Sequence, residues 1–359
     1  MTVGEAFIDA VGGLHPRNAW YVAGWDRDLP AGEVVAMTIL GQMLALARDE
    51  HGQPFAMEDR CPHRAAPLSL GKCEAGGIRC WYHGVRFAAD GRAVEIPGQD
   101  TIPAALRVRT FPVVERHSAI WVWMGDPALA DPDQIVDFVG YRHPDWAMTP
   151  GRLDYEAPAR LIHDNLLDLS HIAYVHKDTF SGGSDASATG WLAAKVTTTT
   201  LPNGVAVERA MGGMPPNPAG GGGVADGADV WSRYEFTVPG TFIQTTERYA
   251  PGTMDPANQA RCEGQSLFDT FTCQAVTPLT ADTACYFFAF GPRAAFAERQ
   301  DFFADLGLRA FHEDKRMIEA QWRVMQATST RIMPLAMDQA VMKYEAVNKR
   351  LLGGKKEQP

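Results

Sequence analysis

Cys61-Pro62-His63, then sixteen residues, then Cys80-Trp81-Tyr82-His83 is the stretch on which the reading of this chain turns. It offers two thiolates and two imidazoles as two short pairs, Cys-x-His and Cys-x-x-His. Two Cys and two His can hold a structural zinc ion, the commoner use of that ligand set. Zinc fingers, however, usually pair Cys with Cys and His with His, whereas each pair here is mixed. Chance placement is the other bland reading, and the tight spacing weighs against it.

Mixed pairs suit a [2Fe–2S] cluster of the Rieske type, with two Cys on one iron and two His on the other. Neutral imidazoles in place of two thiolates make such a cluster less negative. That raises its potential into a range useful for supplying electrons to oxygen chemistry. Cys61, His63, Cys80 and His83 are the candidate ligands, with Trp81 and Tyr82 expected to shield them.

The 359 residues are enough for two domains with real cores. Hydrophobic content of 46% and charged content of 21% are those of a soluble globular protein. A net charge of −10 argues against nucleic acid and against an anionic membrane surface as partners. No apolar run approaches the ~20 residues that span a bilayer, and no secretory leader is visible. Six scattered Cys do not make a disulfide scaffold, and a cytoplasmic, reducing location keeps thiolates free for iron.

Residues 1–14 read as a short arm. From Trp20 to Met124 short β segments alternate with turns, for example 33–40 and 42–47 split by Gly41, then 84–87 and 119–124. The two ligand loops are expected as hairpin tips of this all-β domain. Asp126 to Pro150 reads as a linker. Ala159 to His176 has helical periodicity. Strands resume from Trp191, with a hairpin turn at Pro202-Asn203-Gly204. The Gly/Pro-rich 212–227 stretch is expected as a flexible loop. Helices follow over about 294–327 and 338–351, broken near Gly307 and Pro334. The expected fold is α+β, with an N-terminal all-β domain (1–130) and an antiparallel sheet with helices against it (131–359).

The segment Asn165-Leu-Leu-Asp168-Leu-Ser-His171-Ile-Ala-Tyr-Val-His176 carries the second candidate centre. Five residues separate His171 from His176, roughly 140° around an ideal helix, so they meet at one metal only if the helix distorts or ends. With a carboxylate from elsewhere they would form the two-His-one-carboxylate triad that leaves one face of an iron open to dioxygen. Asp168 is placed to hold the second nitrogen of His171. The bland alternative is an amphipathic helix with ordinary His residues.

Taken together, the two motifs resemble the oxygenase component of the Rieske non-haem iron oxygenases over essentially the whole length, and within them the vanillate and dicamba O-demethylase group. The resemblance implies a Rieske cluster on Cys61, His63, Cys80 and His83, and a mononuclear Fe2+ on His171 and His176. It implies that Asp168 bridges one subunit's cluster to the next subunit's iron, with Asn165 beside that iron. It takes the third ligand from Phe311-His312-Glu313-Asp314-Lys315 as Asp314, with Asp301 and Asp305 as fallbacks and His312 at the surface. Electrons then come from NADH through a separate reductase or ferredoxin, since the chain has no dinucleotide fingerprint. The implied reaction is O2-dependent O-demethylation or N-dealkylation of an aromatic compound, in a homotrimer. Ring or methyl hydroxylation is the alternative within the family, and a pure electron carrier or a zinc-stabilised binding protein are alternatives outside it. Gln274 and Cys285 stand where relatives often carry substrate-facing His. No Arg cluster near the iron motifs advertises a carboxylate clamp, which points to a neutral aromatic amide or ether.

Overall fold

The computed structural model describes residues 15–216, 226–255, 257, 259–329 and 332–353. The expected arm at 1–14 and residues 217–225 of the Gly/Pro-rich stretch lie outside them. Two units are distinguished. One holds the described residues up to Asp137 with Thr277–Asp282, and the other holds Phe138–Val276 with the described residues from Thr283 onward.

The first unit is all β. Its strands are β1 (Trp20–Trp25), β2 (Val35–Ile39), β3 (Gln42–Arg48), β4 (Pro54–Glu58), β5 (Lys72–Glu74), β6 (Gly77–Arg79), β7 (Arg86–Ala88), β8 (Ala93–Glu95), β9 (Thr110–Phe111), β10 (Val113–Arg116) and β11 (Ala119–Trp123). They form sheets of order β1-β11-β10, β2-β3-β4-β9 and β5-β6-β7-β8. The β2–β3 hairpin turns on Leu40-Gly41, both with positive φ, the two-residue turn whose twist matches that of its strands. Leu68, Ile78, Val85 and Phe87 pack in one apolar cluster with Cys61 and Cys80. The segment expected as a linker contains two short 3-10 turns, capped by the side chains of Asp126 and Asp131.

In the second unit β12 (Thr149–Tyr155), β13 (Lys195–Leu201), β14 (Gly204–Met214), β15 (Ala228–Thr237), β16 (Thr241–Tyr249), β17 (Phe268–Pro278) and β18 (Ala284–Pro292) make one sheet. Its order is β12-β18-β17-β16-β15-β14-β13, an antiparallel meander with the first strand returned to the far edge. The helices are α1 (Ala159–Leu167), α2 (Asp185–Leu192), α3 (Gln300–Ala327) and α4 (Gln339–Gly353). Leu161, Ile162 and Leu166 of α1, Phe311 and Ile318 of α3 and Tyr344 of α4 share one core with Tyr234, Phe236 and Tyr286 of the sheet.

Several local expectations are corrected. The helix expected over 159–176 stops at Leu167: Asp168 is extended (φ −122, ψ 100) and Leu169–Ala173 is a 3-10 turn. Asp168 breaks it because its carboxylate accepts from both the N–H and the hydroxyl of Ser170, a local alternative to helical hydrogen bonding. Trp191 lies in α2, a helix capped by Ser184, not at the start of a strand. Gly212–Met214 belong to β14. Gly307 does not interrupt α3. A Cβ there would come within 2.8 Å of the Phe290 ring, so the glycine serves close approach of helix to sheet.

Candidate metal centres and cavity

The two cysteine loops are built alike. The Cys61 N–H donates to the Ala66 carbonyl and the Ala65 N–H to the Cys61 carbonyl, each at 2.8 Å. The Cys80 N–H donates to the Val85 carbonyl at 2.8 Å and the Gly84 N–H to the Cys80 carbonyl at 3.0 Å. The fourth residue past each cysteine is left-handed, Ala65 at φ 55 and Gly84 at φ 72. A side chain at Gly84 would also meet Pro97 at 2.8 Å. Only the second loop is a hairpin tip, joining the paired strands β6 and β7. The first follows β4, which pairs with β3 and β9.

Cys61 and Cys80 are buried at 1% and 2% exposure, and the His63 and His83 rings lie 4.7 Å apart between centroids. Burial raises the Cys61 thiol, with the Cys80 sulfur adding to the shift. Four donors, two soft and two imidazole, are thus gathered on one rim and fit a Rieske cluster. Trp81 and Tyr82, expected to shield these donors, lie on the outer side of the loop. They are 74% and 59% exposed, and Tyr82 packs on His83 at 3.9 Å between ring centroids.

In the second unit the end of α1 at Asp168 lets His171 and His176 converge despite their angular separation on an ideal helix. One ligand atom each from His171, His176 and Asp314 lies within 4.8 Å of the others. His171 Nδ1 is 2.6 Å from the main-chain oxygen of Asp168, which can only accept, so the proton sits on Nδ1 and Nε2 is left as a ligand. His176 Nδ1 is 2.8 Å from Glu313 Oε2, which orients that ring the same way. Both Nε2 atoms face Asp314 Oδ1, at 3.5 and 3.2 Å. Burial lowers the basicity of His171, favouring the neutral, metal-binding form. This donor set fits a mononuclear Fe2+. Asp301 and Asp305 are exposed and Asp305 pairs with Arg309, while His312 lies at the surface.

Asn165 donates from Nδ2 to Asp314 Oδ1 at 3.0 Å. The expected contact of the Asp168 side chain with His171 is corrected: the main chain makes it. The Asp168 carboxylate instead accepts from Ser170 and from Arg209 Nη2 at 3.4 Å. Glu313, which also accepts from Thr179 at 2.8 Å, was not singled out from sequence, although it stands beside Asp314.

A cavity of about 110 Å3 adjoins the triad. Leu166, Leu169, Ile172, Phe180, Phe303 and Leu306 give it an apolar helical wall, and alternate residues of β16 and β17 give it a more polar floor. Gln274 lies on that floor. Cys285 is not among the lining residues: it is fully buried across from Asp154, one residue out of phase with the lining residue Phe290, so it faces the other side of the sheet. The sequence shows no Arg cluster near the iron motifs, but the cavity is lined by one arginine, Arg248, from β16. No helix among the described residues is long and apolar enough to cross a membrane.

Residues 19–112 match the family model of the Rieske [2Fe-2S] domain, and residues 155–353 match that of the vanillate O-demethylase oxygenase C-terminal domain. The chain is 35% identical over 341 residues to the toluene-4-sulfonate monooxygenase system iron-sulfur subunit of Comamonas testosteroni, covering 94% of this chain and 96% of that one. It is 31% identical over 329 residues to a vanillate O-demethylase oxygenase subunit of a Pseudomonas species, covering 89% and 96%. The crystal structure of dicamba monooxygenase bound to 3,6-dichlorosalicylic acid superposes with a TM-score of 0.84 at 29% identity, covering 95% of this chain and 99% of that one.

Proposed function

This chain belongs to the Rieske non-haem iron oxygenases as an oxygenase component, a monooxygenase with a [2Fe–2S] cluster and a mononuclear iron, and we propose that it oxidatively dealkylates an aromatic compound at an O- or N-alkyl group. The observation that carries this reading is the triad of His171, His176 and Asp314 at the wall of an apolar-sided cavity. Three protein donors leave coordination positions free on the side that a substrate occupies. When bound, the iron supplies the activation of dioxygen.

The residues of the chain do the rest. Asp168 O and Glu313 fix the two imidazoles, and Asn165 holds Asp314. The phenylalanines and leucines of the helical wall exclude water and hold an arene near the triad. Substrate, O2, two electrons and two protons then give the dealkylated arene, an aldehyde and water. In this reading Cys61, His63, Cys80 and His83 hold the cluster, and a separate reductase or ferredoxin delivers NADH-derived electrons to it. In a homotrimer in the cytoplasm, the Asp168 carboxylate would stand between one subunit's cluster ligands and the next subunit's iron ligands and link the two by hydrogen bonds.

A second reading, hydroxylation of a ring methyl group, is favoured by the full-length relative named for toluene-4-sulfonate, a compound whose alkyl group sits on the ring carbon. A screen of methoxylated, N-alkylated and methyl-substituted arenes with a surrogate reductase separates the two. Dealkylation releases formaldehyde or a larger aldehyde, while methyl hydroxylation leaves a benzylic alcohol and no aldehyde fragment. Alcohol alone would overturn the first reading.

A further inference from the structure

The floor of the cavity is a ladder of paired residues from β16 and β17, Phe242 with Gln274, Gln244 with Thr272 and Thr246 with Thr270, followed by Arg248, whose partner in register is Phe268. The polarity rises along it and ends in a full charge. Arg248 is the sole Lys or Arg among the described residues that line the cavity. Its Nη1 nitrogen is sealed from solvent and has no hydrogen-bond partner. Leaving a charged donor buried and unpaired is costly, and proteins tolerate it where a ligand completes the pairing.

Arg248 and Arg299 both lie against the Phe268 ring, at 5.7 and 5.6 Å from its centroid. The buried Asp269 attracts Arg248 but gives its Oδ2 to Arg293. Asp269 Oδ1, like Arg248 Nη1, has no hydrogen-bond partner among the described residues. Burial pushes the Arg248 guanidinium down to about 10, which leaves it charged at neutral pH.

This end of the cavity is also the one away from Asp314 of the triad. Phe268 packs on Phe303 of α3, and Asp314 lies eleven residues further along the same helix, roughly 16 Å at the rise of an α-helix. Resting on the oxygenase reading above, we propose that Arg248 anchors a carboxylate or sulfonate of the substrate. The enzyme thereby selects anionic arenes and points their uncharged end at the triad. A carboxylate or sulfonate accepts two parallel N–H bonds from one guanidinium, which fixes orientation as well as affinity.

The test uses the iron-loaded full-length enzyme and measures binding by calorimetry, with no turnover required. The probes are benzoate and benzenesulfonate against benzamide and benzenesulfonamide, and 4-methoxybenzoate against anisole. The wild type is expected to bind each anion at least tenfold more tightly than its neutral counterpart. Arg248→Gln is expected to lose on the order of 100-fold in affinity for the anions and to leave the neutral probes unchanged, while Arg248→Lys recovers part of the loss. Equal binding of charged and neutral probes by the wild type would overturn the proposal, as would unchanged anion binding in a cluster-containing Arg248→Gln enzyme. Benzoate against benzenesulfonate tells which anion fits better. Failure of aldehyde release with intact anion selectivity would strike the dealkylation reading alone.

Discussion

At the cluster loops the sulfur donors Cys61 and Cys80 are buried while His63 and His83 face solvent. At the triad His176 and Asp314 are sealed, at 2% and 6% exposure, and only His171 has modest access. The loops rely on main-chain hydrogen bonds and offer their imidazoles outward. The triad relies on side-chain partners, Asn165 and Glu313, and turns its imidazoles inward. An exposed edge suits a group that must take electrons from a partner protein. A sealed pocket suits one that must keep water from a reactive oxidant. The contrast teaches that the two ends of the electron path meet opposite demands within one chain.

The largest effects should come from removing one centre at a time. Cys80→Ala is expected to abolish cluster absorbance and all turnover while the mononuclear iron remains. Asp314→Ala is expected to do the reverse, dropping iron from three to two per chain with the cluster spectrum intact. An unchanged iron count in Asp314→Ala would move the third ligand elsewhere. Next comes Asp168→Asn, expected to keep both centres and lose nearly all turnover, because the main-chain oxygen and not the carboxylate holds His171. Full activity would remove Asp168 from the electron path. Glu313→Ala should weaken iron binding or activity by about 10–100-fold, since it frees the His176 ring, and metal titration followed by steady-state rates would show it.

The smallest effect concerns stability. Burial raises the Asp164 carboxyl to about 6, so the fold favours its protonated form. Its contribution is therefore full below about pH 4 and is lost as pH rises through about 6. The side chain is one-third exposed, which reduces the effect to about 1 kcal/mol. Asp164→Asn should raise Tm by about 2–4 °C at pH 7.5 and by nothing near pH 4. An equal gain at both pH values would assign it to another cause.

Motifs whose chemistry depends on short spacing were legible in the sequence. The two cysteine pairs stand out by residue type and interval, whereas His171 with His176 take their reading from standing behind those pairs in a chain that resembles the family. Residues whose role depends on register were not. Arg248 in Thr241–Tyr249 reads as a solvent-facing charge until the order of the sheet shows that Phe242, Gln244, Thr246 and Arg248 share the cavity face. Cys285 failed for the same reason, since a shift of one residue turns a strand side chain to the opposite face. Gly307 reads as a helix breaker when only propensity is weighed, yet tertiary packing against Phe290 decides it. Asp168 shows the converse: its habit of bonding to its own backbone neighbours ended the helix that periodicity alone would have continued.

The triad draws His171 and His176 from the turns that follow α1 and Asp314 from α3, with His176 and Asp314 separated by 138 positions (314 − 176). An iron held there is a crosslink closing a very long loop, and such a link removes more freedom from the unfolded chain than a short one does. Iron bound by this triad would then act as a folding ligand as well as a reagent, and its removal would be expected to lower the stability of the second unit along with its activity.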